Sequence, residues 1–373
     1  MAGIYIHIPF CRKKCIYCDF YSVGGNHIDF SAYVDCLVKE YHQRKAELGE
    51  ETIKTIYIGG GTPSLLPLEQ IQRLKDELNC FQNVEEFTVE VNPDDVTVEY
   101  AQGLRKIGVN RVSMGVQSFI DEELKLINRR HNAQKAIDSF NILKDAGFEN
   151  MSLDLIFGIP QQSLDSWKYS VSKAIELNPT HISAYSLMYE EGTRLTVMRN
   201  KGLITECDDE VSVAMYNHLV SALEKAGYDH YEISNFAKAD KYSRHNASYW
   251  DFTPYLGLGA SAHSFDGKIR RYNPSNWKKY ESLVNEQGYA YEEEHENPDE
   301  LYNEWVMTML RTKWGIDMNV LKDKFGVKYY DWANKIIVPY LADGSIVQKE
   351  NSIHLTEKGV MVSDMIYRDL FIV

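Results

Sequence analysis

Along the first half of the chain, short runs of apolar and β-branched residues alternate with longer segments whose apolar positions recur every three or four residues. The runs Gly3 to Pro9, Thr55 to Gly59, Glu86 to Val91, Arg111 to Val116, Met151 to Phe157 and His181 to Leu187 predict strands. Between them, Tyr33 to Lys45, Leu68 to Leu78, Ala133 to Ala146 and Ser166 to Leu177 carry apolar residues at i, i+3 and i+4 and predict helices. A strand-then-helix rhythm builds a parallel sheet covered by helices, either open and doubly wound or curled into a barrel, and the period alone does not separate the two. In both architectures ligands gather at the carboxyl ends of the strands. Pro9, Gly59-Gly60-Gly61, Asn92-Pro93, Gln117 and Gly158-Ile159-Pro160 fall there.

Beyond about Gly227 the rhythm breaks into aromatic, mixed segments, Tyr228 to Phe236, Asn246 to Phe252 and Ile269 to Tyr272. The acidic run Glu292 to Glu296 reads as a solvated connector. Helical patterns follow at Glu300 to Arg311, Val320 to Phe325 and Trp332 to Leu341, then two short β-like pieces around Lys349 to Ser352 and a last helix from Thr356. Helices followed by a small hairpin predict a winged-helix-like cap. The chain therefore divides into 1–227, 228–295, which completes the barrel side, and 296–373.

Composition narrows the function classes. With 44% hydrophobic and 25% charged residues, and no apolar run near the ~18 residues of a membrane span, the chain reads as globular and not membrane-spanning. The start, Met1-Ala2-Gly3-Ile4-Tyr5-Ile6, enters an apolar segment without the basic region and long apolar stretch of a secretory signal, so a cytoplasmic location is expected. Forty Lys and Arg against 54 Asp and Glu give a net charge of -14, the wrong sign for a chain that wraps nucleic acid.

Six cysteines are few for this length, and three of them crowd into eight residues. In a reducing compartment that is a metal site rather than a disulfide frame. Cys36, Cys80 and Cys207 are isolated and read as small buried hydrophobes. Cys11-x-x-x-Cys15-x-x-Cys18 puts three thiolates on one loop after the first strand, enough for three corners of a cubane cluster. A [4Fe-4S] cluster normally takes four cysteines, so a three-cysteine loop leaves one iron open to an exchangeable ligand. The competing readings are a zinc site completed by His7 or another residue, or three unrelated structural cysteines. Zinc loops usually add a second, distant pair of cysteines, and none is present.

With that loop the sequence resembles the radical S-adenosylmethionine (SAM) superfamily. The resemblance implies that the open iron chelates the amino and carboxylate groups of SAM, and that reduction of the cluster cleaves SAM to a 5′-deoxyadenosyl radical. It places Tyr17 near the adenine and Gly59-Gly60-Gly61-Thr62-Pro63 in the segment that binds the methionine amine, where missing side chains let backbone polar groups approach a ligand. Glu90, Gln117, Arg129 and Asp154 are polar groups at or near strand ends, flanked by apolar residues. Burying one without a partner costs about 1 to 3 kcal/mol, so partners are expected, and SAM would supply them.

A narrower resemblance, to the coproporphyrinogen-dehydrogenase-like (HemN-like) group, covers nearly the whole chain, through Ile4 to Cys11, the cysteine loop, the glycine run, Gly115 to Phe119 and Asp154 to Pro160. It implies an α/β fold, an incomplete parallel (β/α)6 barrel with a small C-terminal helical, winged-helix-like domain. By position it carries SAM contacts onto Tyr5, Tyr17, Gly60, Gly61, Thr62, Glu90, Gln117, Arg129, Asp154 and Met188.

Two departures bear on function. The dehydrogenases have a fourth cysteine two positions after the third, where this chain has Phe20, and a substantial extension before the cluster, where this chain has ten residues. Cys18-Asp19-Phe20, Tyr231 to Ala237 and His245-Asn246-x-x-Tyr249-Trp250 resemble instead the HemW branch. That resemblance implies a haem chaperone that holds haem, the cluster and SAM, takes electrons from a donor and delivers haem to an acceptor haemoprotein, soluble yet free to visit membrane-bound acceptors. The alternative is the oxygen-independent decarboxylation of coproporphyrinogen III. His245 is the candidate haem-iron ligand, with Tyr249 and Trp250 to pack on the porphyrin. The bland reading makes His245 a loop histidine and the two aromatics core residues. The segment Gly257 to Phe265 offers a second histidine, His263, but its small residues are expected rather to shape the cavity beside SAM.

Overall fold

Residues 1–25 and 28–373 are described by a computed structural model of the protein. Six strands carry the parallel core: β1 (Ala2–Ile8), β2 (Ile53–Gly60), β3 (Glu86–Val91), β4 (Arg111–Gln117), β5 (Asn150–Phe157) and β6 (His181–Ser186), each hydrogen-bonded in parallel to the next. These match the predicted runs to within two residues at either end. A seventh parallel strand, β9 (Tyr255–Leu258), pairs on the free side of β1, with Gly3 opposite Tyr255 and Ile6 opposite Leu258. It was not among the predicted strands, because four residues are too few for a readable alternation.

The full sheet has twelve strands. At one edge β7 (Asp229–Glu232) and β8 (Asn235–Ala237) form an antiparallel pair against β6. At the other, β10 (His263–Phe265), β11 (Arg270–Tyr272) and β12 (Glu292–Glu294) run antiparallel outward from β9. The two edges do not pair with each other, so the barrel is incomplete, as expected. The acidic run is a correction: Glu292–Glu294 is an exposed edge strand rather than a plain connector. Its register sets Glu294 opposite Arg270 and Glu293 opposite Arg271, and opposite charges directly across a strand pair favour the ladder. Arg271 Nε donates to Glu293 Oε1 at 2.9 Å.

Alternation along β1 explains the layering. Ile4, Ile6 and Ile8 are fully buried beneath the outer helices, each burial contributing roughly 1.5 to 3 kcal/mol. Gly3, Tyr5 and His7 face the barrel interior instead. Helices Phe30–Arg44, Leu68–Leu78, Val98–Ile107, Ala133–Asp145 and Leu164–Leu177 cover the outside. Leu68–Leu78 buries Ile71, Leu74 and Leu78 at helical spacing and stops at Asn79 in a left-handed conformation.

The C-terminal part comprises helices Pro298–Leu310, Met318–Phe325 and Val327–Ala342, then the hairpin Ile346–Lys349 with Ser352–Leu355, and short helices to Leu370. Its apolar cluster includes Trp305, Leu321, Ile337 and Ile366, and also takes Phe252, Tyr255 and Phe265 from the middle of the chain. Among the described residues no helix is long and apolar enough to cross a membrane.

Candidate functional site

Phe10–Cys11, just past β1, pairs in parallel with Val23–Gly24, and the intervening loop carries the thiols. Two segments beyond the strand ends pin that loop: Asn128 Nδ2, just after the helix Asp121–Leu126, donates to the Lys14 carbonyl at 2.8 Å, and the Leu195 N–H, in the helix Arg194–Asn200, to the Ile16 carbonyl at 2.8 Å. All three sulfurs are free. Thr62 Oγ1 donates to Cys11 Sγ at 3.3 Å, and Arg129 Nη1 approaches Cys15 Sγ at 3.5 Å. Burial and then the neighbouring Cys15 push the Cys18 thiol up to about 11, and burial raises Cys11 as well. Among the described residues no three Cys, His, Asp or Glu groups converge as a single metal ion would need. Three thiols spread on one loop suit a cluster, in which each holds a different iron.

The glycine run is shaped around this loop. A Cβ on Gly61 would lie 2.9 Å from the Phe10 carbonyl oxygen, 3.0 Å from that of Ile8 and 3.1 Å from Cys11 Sγ, while the Gly61 N–H donates to the Ile8 carbonyl at 2.9 Å. Gly60 adopts φ 112°, closed to most side chains.

Polar groups ring the upper, carboxyl-terminal end of the barrel. Glu90 takes a hydrogen bond from Tyr57 Oη at 2.8 Å and from the Gly60 N–H at 3.1 Å, and burial pushes its carboxyl up to about 7. Asp154 accepts from Ser113 Oγ at 3.2 Å, and burial raises it too. Tyr5 Oη lies 2.9 Å from His7 Nδ1. Gln117 ends β4 at φ 70°, beside a bulge in the β4–β5 register, a strained conformation of the kind found at binding sites. Arg129 donates to the Gly115 carbonyl, yet its Nε has no partner. Tyr17 is half-buried beside Cys15 and Arg129, and Thr62 is buried. Met188, by contrast, lies past the end of β6 and is 62% exposed.

Sequence reasoning overlooked Tyr57, which holds Glu90, and raised His7 only as a possible zinc ligand, whereas it holds Tyr5. Period-2 alternation was the available signal: Thr55, Tyr57 and Gly59 on β2 share the inward face with Tyr5 and His7 on β1.

His245 stands elsewhere. The helix Arg244–Trp250 closes the lower end of the barrel, its first N–H groups held by Glu86: Arg244 at 3.1 Å and His245 at 3.0 Å. The His245 ring is fully buried, with Nδ1 2.8 Å from Thr55 Oγ1 and Nε2 2.9 Å from Tyr249 Oη. It stacks on Tyr57 at 5.3 Å, and burial lowers its pKa to about 3. Neither nitrogen is open to an iron in this arrangement, because each is already paired inside the barrel.

An incomplete parallel barrel with three free thiols on the loop after its first strand is the build of a radical SAM protein, and the family model described as the radical SAM superfamily matches residues 5–174. A second model, the HemN C-terminal domain, matches 297–362. The chain is 36% identical to the heme chaperone HemW of Bacillus subtilis (strain 168), over 98% of each chain, and 31% identical to that of Mycobacterium tuberculosis (strain ATCC 25618 / H37Rv), over 99% of this chain and 94% of the relative. The protein belongs to the HemW family of the radical SAM superfamily. Its fold is also similar to that of the radical SAM enzyme coproporphyrinogen III oxidase (HemN) from Escherichia coli, with a TM-score of 0.85 and 25% identity over 99% of this chain and 90% of the other.

Proposed function

We propose that this protein is a cytoplasmic haem chaperone that carries a [4Fe-4S] cluster on Cys11, Cys15 and Cys18, binds SAM at the upper end of the barrel, and passes haem to an acceptor haemoprotein. The carrying observation is a cavity of about 690 Å³, lined by Phe20, Trp250, Phe252 and Phe265, that opens beside the thiol loop. A flat, apolar ring with charged edges suits such walls, and the volume falls in the ~300 to 1,000 Å³ range of small-molecule sites.

The residues present fit both cofactors. Free thiols with raised pKa values lose their protons to a metal on loading. Gly61 leaves room that a side chain would take from Cys11. The unpartnered Arg129 Nε and the Glu90 carboxylate match in charge the carboxylate and amine of an amino-acid end. Asp154 is placed to accept from hydroxyls, and Tyr17 to pack against an aromatic ring. When bound and reduced by an external donor, the cluster supplies an electron to SAM. Tyr57 and the Gly60 N–H fix the Glu90 carboxylate, so it meets a ligand already oriented.

The likeness to coproporphyrinogen III oxidase supports a second reading, radical decarboxylation of coproporphyrinogen III. Phe20, where the dehydrogenases carry cysteine, favours the chaperone. The deciding experiment is an anaerobic incubation of the reconstituted, reduced protein with SAM and either coproporphyrinogen III or haem. One haem bound per chain with no protoporphyrinogen IX formed is the expected result; conversion to protoporphyrinogen IX would overturn the chaperone reading.

A further inference from the structure

The 690 Å³ cavity holds two imidazoles. His7 is committed: its Nδ1 faces Tyr5 Oη at 2.9 Å and its Nε2 the Tyr21 carbonyl at 3.2 Å. His263 is different. It begins β10, its side chain is exposed toward the cavity, and among the described residues no hydrogen bond engages its ring. Its backbone is nonetheless held firmly. His263 pairs with Tyr272 across β10 and β11, the Asn273 N–H donates to the Ala262 carbonyl at 2.9 Å, and Ser261 sits at φ 67° two residues before it.

The surroundings are graded as a metalloporphyrin would require. Apolar rings, Trp250, Phe252 and Phe265, line one side. Arg270 lies over the Phe265 ring at 4.7 Å at the rim, paired with Glu304 and Glu296, and an anionic side arm would meet it by exchanging with one of these carboxylates. Lys14, on the thiol loop, lines the same cavity. Burial, followed by the charge of Arg270, lowers the His263 pKa below its ordinary value, which leaves the neutral imidazole that a metal ion binds.

We propose that His263, rather than His245, is the axial ligand to haem iron, with the porphyrin lying in the cavity against Trp250, Phe252 and Phe265 and a propionate at Arg270. This assignment rests on the haem reading. The two histidines of the middle segment then divide the work, His245 tying the barrel floor together and His263 presenting a free nitrogen to the cargo.

The test uses the full chain, cluster-loaded and anaerobic, titrated with ferric haem and followed by Soret absorption and low-temperature electron paramagnetic resonance, bound haem being separated by gel filtration. The wild type should bind one haem with a histidine-ligated spectrum. His263→Ala should lose that spectrum and bind at least about ten-fold more weakly, while cluster iron and thermal unfolding stay unchanged. Added imidazole should restore the spectrum of the bound haem, which a merely structural role would not allow. His245→Gln, which keeps a hydrogen-bonding side chain, should retain the wild-type spectrum. A wild-type spectrum in His263→Ala, or no response to imidazole, overturns the ligand assignment and leaves the chaperone reading standing; a wild type that binds no haem overturns both.

Discussion

At the lower end of the barrel both ring nitrogens of His245 are used, by Thr55 and Tyr249, and the Glu86 carboxylate is taken by two N–H groups. At the upper end Arg129 keeps an unpartnered Nε, three thiols stand free, and the glycine run leaves space that side chains would fill. Among the described residues, both ends hold buried guanidinium nitrogens without a partner, Arg129 Nε above and Arg111 Nε and Nη1 below, but only the upper one adjoins free thiols and a glycine-cleared space. The paired groups around His245 contribute stability, and the upper end is a site awaiting a ligand because its incomplete polar groups stand beside free thiols and open space. Variants at the two ends should therefore separate cofactor loading from stability.

The largest effect is expected at the upper end. Cys15→Ala should reduce iron and sulfide in the anaerobically reconstituted protein from about four of each per chain to near none, with little change in circular dichroism; a full cluster in this variant would remove Cys15 from the ligand set. At the lower end, His245→Ala leaves Thr55 and Tyr249 without their buried partner and opens a cavity. It should cost about 2 to 4 kcal/mol in chemical denaturation while the folded fraction loads its cluster normally, and a loss of loading without a loss of stability would erase the contrast between the two ends.

A smaller effect concerns pH. Glu90 sits at about 7 in the ligand-free protein, so below that pH it is protonated and uncharged. The ionised carboxylate accepts from the N–H groups of an iron-bound amine and favours the sulfonium charge better than the acid does, so SAM affinity should rise by up to about ten-fold from pH 6 to pH 8 and then flatten. Calorimetric titration of Glu90→Gln should show that slope abolished; an unchanged slope would assign it to another group. The smallest effect is at the cavity rim: Phe20 is 64% exposed, and Phe20→Ala should alter stability by less than about 0.5 kcal/mol. A larger change would mean that Phe20 braces the thiol loop rather than facing a ligand.

Much of this was legible along the chain. Six strands declared themselves by β-rich runs, five of them running into Pro, Gly, Asn-Pro or Gln, and the cysteine spacing and glycine run marked the upper end of the barrel. The seventh parallel strand, Tyr255–Leu258, and the edge strand Glu292–Glu294 did not, since strands of three or four residues owe their existence to the neighbour they pair with. Tyr57 was likewise silent, and His7 was read only as a possible zinc ligand, because the importance of each lies in which side chain it holds.

The sequence by itself determined the class of fold and the cluster loop, because periodicity and ligand spacing are local properties that survive in a one-dimensional string. Only the tertiary structure shows how differently the two histidines of the middle segment are engaged. His245 lies in a motif and His263 among small residues, but whether an imidazole is free depends on what surrounds each nitrogen. For His245 that includes Thr55, 190 positions away in the chain. Hydrogen-bond satisfaction is a property of packed neighbours, and neighbours so distant in sequence become known only when the barrel has closed around them.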